Sequence, residues 1–437
     1  MSARWQSFGF CPKEEYMIDT NVKPFIIEST QFKTFFVELW FPYERTQNII
    51  AEALLPSLLV HTSKKYPDEP SFSRALLEKN ILDITCGLRR IGTNTFFKCT
   101  LTMPDETVVS RREIEEGISF FLDTIYDPNL LEDHFDEEAF ERAKKRMIVD
   151  IENDLKTIDT MAYLHIIDRV DTSGILKSCT LNHLEDAKKI TGKEVYFFYQ
   201  NAIQKVKPFV FAIGNFETRK LESFIKKELQ KRKLETVHYT KNYTCFLEPI
   251  GTFKEIKEKG AFNQSYLSFV YKIKDMKEED RLILQAITGL LSSQSSDLLL
   301  KMLRDQKDLV YEASAALYGR FGMIMLEAKM YRESYEEAKE QIYKTVELLK
   351  DREVVEPLLQ NLKDRKRLNL KRNLDSKYAI LGEKVDECLG FDVSLEDEYQ
   401  RFCSIAFEDI TSLVDRFELE LIYFMEGVGN HETEETQ

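Results

Sequence analysis

The stretch Thr95-Phe-Phe-Lys-Cys-Thr-Leu-Thr-Met103 alternates apolar and polar side chains, which is typical of a β-strand with one buried face. A second strand is predicted just before it, over residues 82–88. Helical periodicity appears on both sides of these two adjacent strands, at residues 46–60, 71–79 and 111–126. The strands therefore belong to a unit that mixes sheet and helix.

Outward from this pair, an apolar and aromatic run at residues 35–41 predicts an earlier strand. A long helix is expected over residues 136–170, a further helix over 194–202, and a buried strand at Phe209-Val-Phe-Ala-Ile213. Together these elements predict one α+β layer sandwich.

The second half of the chain repeats this order of elements. The expected elements are strands at 266–273, 310–317, 322–329 and 420–424, and helices at 277–291, 297–303, 334–349, 354–370 and 407–417. Between the halves Lys and Glu dominate and the apolar period lapses, which favours a linker. We therefore expect a duplicated α+β fold with domains at 1–230 and 260–437, joined by a linker at 231–259.

Composition limits the classes of function. The 437 residues are 43% hydrophobic and 31% charged, as expected of a soluble globular protein with real cores. The formal net charge is -14, from 61 Lys and Arg against 75 Asp and Glu. Nucleic acid and anionic lipid both need a basic surface, so neither is an expected partner. A basic, unfolded peptide is weakly favoured.

The cysteines indicate a reducing compartment. There are seven, far apart in sequence and without Cys-x-x-Cys spacing: Cys11, Cys86, Cys99, Cys179, Cys245, Cys388 and Cys403. The N-terminal residues lack the pattern of a signal peptide, and no run of about 18 apolar residues occurs. We expect a cytoplasmic protein without membrane insertion.

The histidines exclude a zinc-peptidase site built by this chain alone. The six are His61, His134, His165, His183, His238 and His431. No two have the spacing of His-x-x-Glu-His or His-Glu-x-x-His, which places two zinc ligands on one helical face. Gly-x-Ser-x-Gly, Walker and dinucleotide-binding motifs are also missing from the sequence.

The order of elements nevertheless resembles the pitrilysin, insulinase and mitochondrial-processing-peptidase superfamily, the inverzincins. Leu58-Leu-Val-His-Thr-Ser-Lys-Lys-Tyr-Pro67 is similar to the stretch that follows the zinc helix of that family. Gly289-Leu-Leu-Ser-Ser-Gln-Ser-Ser-Asp-Leu-Leu-Leu-Lys-Met-Leu-Arg304 is similar to its second-domain loop and helix. Two further stretches, around residues 53–67 and 116–128, resemble zinc-less bacterial members that pair with a zinc-bearing sibling. The resemblance implies two mainly antiparallel sheets flanked by helices, in a half-clamshell.

This chain departs from the family pattern at the metal. Aligned on the resemblance, the zinc motif falls on Ala53-Leu-Leu-Pro-Ser57, which has no metal-binding side chain. The third ligand would lie among Asp150, Glu152 and Asp154, but one carboxylate without imidazoles holds zinc poorly. The pair His165 and Asp168, and the stretch from Asp133 to Glu138 with His134, each offer a single histidine, more typical of a surface hydrogen bond. We therefore expect no metal and no cofactor in this chain.

The part of the family's active-site pattern that this sequence does match is Arg304-Asp-Gln-Lys-Asp-Leu-Val-Tyr311. In active members an Arg and a Tyr at these places lie across a chamber from zinc, where a guanidinium can bind a substrate carbonyl and a phenol can donate to an oxyanion. The plainer explanation is that Arg is common at helix C-termini and Tyr in strands.

The resemblance implies that this chain is the zinc-less subunit of a heterodimeric zinc endopeptidase. A sibling chain would bring the zinc, while this chain would supply Arg304 and Tyr311 to catalysis in trans. The expected substrates are small unfolded peptides, and a plausible setting is leader or precursor processing in bacteriocin-type peptide maturation. Two alternatives stay open: a peptide-binding scaffold without a catalytic role, and a free-standing hydrolase with an unrecognised site.

Overall fold

Two five-stranded sheets form the framework of the computed structural model, which describes residues 17–44, 48–91, 93–240, 244–293, 297–389 and 394–428. The strands are β1 (Met17–Asp19), β2 (Phe25–Glu28), β3 (Thr34–Tyr43), β4 (Asp83–Ile91), β5 (Asn94–Pro104), β6 (Leu130–Leu131), β7 (His134–Phe135), β8 (Phe209–Gly214), β9 (His238–Thr240), β10 (Lys254–Gly260), β11 (Ser265–Ile273), β12 (Val310–Tyr318), β13 (Met323–Met330) and β14 (Phe417–Gly427).

The helices flank these sheets. They are α1 (Ile49–Leu59), α2 (Glu69–Glu78), α3 (Arg111–Tyr126), α4 (Glu137–Asp154), α5 (Ile158–Val170), α6 (Leu184–Lys189), α7 (Gly192–Tyr199), α8 (Thr218–Gln230), α9 (Asp280–Leu291), α10 (Leu298–Leu300), α11 (Tyr335–Glu347), α12 (Arg352–Asn373), α13 (Lys377–Cys388), α14 (Leu395–Ser404) and α15 (Phe407–Val414). Within the described residues, none is long and apolar enough to cross a membrane.

The two sheets have the same topology. Their strand orders are β2-β8-β3-β5-β4 and β10-β14-β11-β13-β12. In each sheet the first pair is parallel and the other pairs are antiparallel. The fold class predicted from the sequence, two similar and mainly antiparallel sheets flanked by helices, is confirmed.

Each sheet packs one face against the helices of its own half. In the first half, Phe35, Leu39 and Phe97 join α1 and α3 in one core. In the second half, Phe269 and Ile422 pack with α9, α11 and α12. Alternating side chains of each central strand point into these cores, because successive residues of a strand face opposite sides.

The other face of each sheet is covered by a helix from the opposite half. Leu381 and Val385 of α13 pack with Trp40 and Phe211 of the first sheet. In return, residues Ile158 to Val170 of α5 pack against the second sheet. The two halves therefore exchange helices, and each contributes to the other's core.

Two expectations from the sequence were wrong. The single helix predicted over residues 136–170 is two helices: α4 ends at Asp154, and Thr157 caps α5, its hydroxyl accepting a hydrogen bond from the backbone N–H of Thr160 at 3.3 Å. Residues 254–259, the end of the expected linker, belong to β10, whose backbone pairs with β14 while its charged side chains stay largely exposed. The boundaries of the two domains stay predictions.

Candidate functional site

Helix α1 occupies the place where the family resemblance puts a zinc helix. Asn48 caps it, and its side chain accepts a hydrogen bond from the backbone N–H of Ala51 at 3.0 Å. Ala53 and Pro56 are half-buried, and Ser57 is exposed with its hydroxyl donating to the carbonyl of Leu54 at 2.8 Å. These positions carry a methyl group, a proline ring and a hydroxyl already engaged with its own helix. They offer no imidazole or carboxylate to a metal.

The carboxylates expected to supply a third ligand lie on α4, which packs against α1. Asp150 and Asp154 are exposed and Glu152 is half-buried. The two helices pack together, but the positions that the resemblance assigns to zinc carry no ligand set. Across the described residues, no group of three or more His, Cys, Asp or Glu side chains is placed to hold a metal ion. The residues present do not fit zinc.

His165 and Asp168, considered as a relocated site, bind different partners. His165 Nδ1 lies 2.5 Å from Glu258 Oε2 and 2.9 Å from Tyr423 Oη, while Asp168 pairs with Lys177 at 3.2 Å. Burial would raise the pKa of Glu258, but hydrogen bonds from Tyr423 and His165 outweigh it and hold the pKa below its usual value. This cluster joins α5 to β10 and β14, so its role in the fold is to connect the two halves.

His134 is also held by a surface contact. Its Nδ1 lies 3.4 Å from the carboxylate of Asp133, which pairs in turn with Lys193 at 2.9 Å. Glu138, from the same stretch, pairs with Arg142 one turn along α4. His431 lies outside the described residues.

Arg304 lies on an irregular turn of helix. Residues Lys301–Asp305 form a π-helical turn that continues α10, whose N-cap Asp297 accepts a hydrogen bond from the backbone N–H of Leu300 at 2.8 Å. Arg304 is exposed, and its Nε contacts the neighbouring carboxylate of Asp305 at 3.2 Å. Single π-turns within helices occur frequently at functional sites. The guanidinium of Arg304 is therefore exposed to solvent on a π-turn, which is an irregularity within the helix.

Tyr311 lies on a second irregularity, at the edge of the second sheet. The pairing of β12 with β13 shifts register between Val310 and Glu312, so Tyr311 is the extra residue of a β-bulge. Its side chain is 41% exposed and meets the ring of Tyr331 edge to face, with 4.7 Å between centroids. A bulge redirects a side chain out of the regular ladder, which here turns the phenol toward solvent.

The structure brings Arg304 and Tyr311 to neighbouring segments but does not join them. Among the described residues, no hydrogen bond or ring contact links the two side chains. Sequence reasoning missed Tyr331, which is 61% exposed and supports the ring of Tyr311. The available signal in the sequence was an aromatic residue, Tyr331, directly after the apolar strand that ends at Met330.

Tyr311 lies on an edge strand of the second sheet, and the first sheet has a corresponding edge strand. β4 ends the first sheet and β12 ends the second, and each is bonded to one neighbouring strand of its sheet. An edge strand has backbone N–H and C=O groups that an extended peptide can pair with. A separate cleft of about 810 Å³ includes His165, Arg169 and His183 in its lining, and neither Arg304 nor Tyr311 reaches it.

Comparisons with known proteins agree with this geometry. Residues 189–365 match the family model described as "Peptidase M16 inactive domain". The chain is 21% identical over 412 residues to a "Probable inactive metalloprotease YmfF" of Bacillus subtilis strain 168, covering 92% of this chain and 95% of that protein. It is 22% identical over 324 residues to a "Zinc protease PqqE" of Helicobacter pylori, covering 70% of each. A solved structure of a conserved protein from Enterococcus faecalis V583 superposes with a TM-score of 0.81 at 19% identity, covering 95% of this chain and 99% of that one.

Proposed function

We propose that this chain, whose residues 189–365 match the model of the M16 peptidase inactive domain, is the non-catalytic subunit of a two-chain zinc endopeptidase of that superfamily. A zinc-bearing sibling supplies the metal in this proposal. The present chain completes the chamber and contributes Arg304 and Tyr311. By itself it does not cleave peptides.

The observation that carries the proposal is a contrast between the two halves. On α1 the aligned positions are Ala53, Pro56 and Ser57, which cannot bind a metal. In the second half, Arg304 and Tyr311 are exposed on a π-turn and a β-bulge. The contrast supports a role for the second half in a shared site, for which a partner chain would supply the metal.

The proposed roles follow from the chemistry of the two side chains. The guanidinium of Arg304 can donate two parallel hydrogen bonds to a substrate carbonyl or carboxylate and hold it in place. The phenol of Tyr311 can donate to an oxygen on which negative charge develops during attack at a peptide carbonyl. Both actions need a reacting group on the opposite wall of the chamber, which the sibling provides.

The proposed substrates are short unfolded peptides. An extended peptide can add to the open edges β4 or β12 through its backbone, which does not depend on its sequence. The net charge of -14 favours basic peptides at low salt. We place the activity in the cytoplasm, where processing of a leader or precursor peptide in bacteriocin-type maturation is a fitting task.

Reconstitution with a zinc-bearing sibling tests the proposal. Candidate siblings encoded beside this chain are purified separately, then mixed with it and with a fluorogenic peptide library. Cleavage is expected only in the mixture, together with a stable complex in size-exclusion chromatography. Equal cleavage by the sibling alone would exclude a functional contribution from this chain.

Substitutions in this chain then test the two side chains. Arg304→Ala and Tyr311→Phe are each expected to lower turnover by the mixture by roughly 10²-fold, because each removes a donor that acts in the transition state. Lys307→Ala is the matched control, since Lys307 is an exposed cation close by that pairs with Glu337 at 3.1 Å. Unchanged turnover in both variants, with complex formation intact, would favour the alternative function of a peptide-binding scaffold.

Metal analysis of the isolated chain is a separate test. Because α1 and α4 lack a ligand set, chain purified with zinc in the buffer and then desalted is expected to hold far less than one zinc per molecule. Inductively coupled plasma mass spectrometry measures the ratio. A stoichiometric zinc content would contradict the proposed division of roles between the chains.

A further inference from the structure

Two of the cysteines, far apart in sequence, are neighbours in the fold. Cys86 on β4 and Cys99 on β5 are directly opposite each other in the antiparallel pair. Their sulfur atoms lie 2.8 Å apart, and both are free thiols.

Strand register alone places these two residues within reach of a disulfide bond. Residues directly opposite in an antiparallel pair have Cα atoms about 4.5–5.5 Å apart and side chains on the same face. Disulfides span Cα separations of about 4.4–6.8 Å. The backbone therefore needs little movement for the two sulfurs to bond.

The two thiols differ in access. Cys99 is fully buried, and this burial, together with the neighbouring Cys86 thiol, raises the pKa of Cys99. Cys86 is half-buried on β4, which among the described residues pairs with a neighbouring strand on one side. A small oxidant therefore meets Cys86 first, and Cys99 is already beside it to complete the reaction.

We propose that Cys86 and Cys99 form an oxidation site at the open edge of the first sheet, where hydrogen peroxide converts the two thiols into a disulfide. The sulfur of Cys86 attacks one peroxide oxygen, giving a sulfenic acid and one water. The sulfur of Cys99 then attacks the sulfur of Cys86, forming the S–S bond and releasing a second water. The two thiols lose two electrons and two protons, and one peroxide becomes two waters.

The bond would fix the open edge of the sheet. Within the part of the chain that the structure describes, β4 pairs with the sheet through β5, and α1 packs against β4. A covalent link between the two strands holds this edge in register. It also lowers the conformational entropy of the unfolded chain. The inference is independent of any catalytic partner, because both sulfurs belong to this chain.

The full-length chain tests the inference by thiol counting and peptide mapping. It is reduced, freed of reductant, treated with equimolar hydrogen peroxide and alkylated under denaturing conditions. Of its seven thiols, five are expected to react with the alkylating reagent, and the map is expected to contain a peptide with Cys86 linked to Cys99. Seven alkylated thiols, or a disulfide that joins other cysteines, would overturn the proposal.

Variants separate the two steps. In Cys99→Ser the reaction is expected to stop at oxygenated Cys86, detected as a mass increase on that residue and trapped by dimedone. Cys179→Ser is the matched control, since Cys179 is also half-buried but its sulfur accepts a hydrogen bond from Asn182 at 3.7 Å. The control is expected to form the Cys86–Cys99 link as readily as the unaltered chain. Its failure to do so would contradict the assignment.

Discussion

Lys272 of β11 is a charged residue inside the second sheet. Its side chain has no exposed surface and lies 2.9 Å from the carboxylate of Glu420 on the neighbouring strand. In the first sheet, Glu38 and Lys98 form a comparable pair at 2.6 Å. A single charge within an apolar strand, as in Phe-Val-Tyr-Lys-Ile273, marks such a residue in the sequence. The partner follows only from strand register, which joins distant segments.

Removing one member of this pair should destabilise the fold. Lys272→Met is expected to lower the free energy of unfolding by about 3–5 kcal/mol, because it leaves the carboxylate of Glu420 buried without its cation. Urea denaturation followed by circular dichroism measures the loss. The double variant with Glu420→Leu should recover most of it, and an equal loss in the double variant would show that packing, not charge, is responsible.

At the scale of elements, sequence patterns predicted helices and strands well where one face of the element is apolar and packs in a core. The alternation at residues 95–103 lies within β5, and the helix expected at 111–126 is α3. The same method missed β10, because an edge strand bonded on one side can carry charged side chains on most of its length. It also missed α13, in which charged side chains alternate with the apolar ones that reach the first sheet.

The irregular elements of the candidate site were beyond prediction for a different reason. The segment from Arg304 to Tyr311 was identified through its resemblance to a family. Its π-turn and β-bulge depend on how α10 and β12 fit their neighbours, and a sequence window contains none of that information. The proposed roles of both side chains stay predictions until the reconstituted complex is assayed.

For the whole molecule, the exchange of α5 and α13 determines whether the two halves of the chain can fold as separate fragments. A fragment of residues 1–230 keeps the first sheet but loses α13, exposing Trp40 and Phe211, while its own α5 loses the second sheet. Such a surface favours aggregation. We therefore expect fragments 1–230 and 231–437 to be insoluble when expressed singly and to be recovered together when co-expressed.

Soluble expression and dispersion of amide resonances check this expectation. The matched control is the same pair of fragments with Val385→Asp in the second, which puts a charge into the contact between α13 and the first sheet. Co-expression should then fail to rescue the first fragment. A monomeric, well-folded fragment 1–230 would show that the exchanged helix is dispensable.

The exchanged helix also sets an order in time. During synthesis the strands that carry Phe36, Trp40 and Phe211 leave the ribosome long before α13, which begins at Lys377 and covers them. One apolar face of the first sheet therefore stays exposed to solvent until the ribosome has synthesised α13. During this interval the nascent chain exposes an apolar surface that favours aggregation, and the place of α13 in the sequence determines how long the interval lasts.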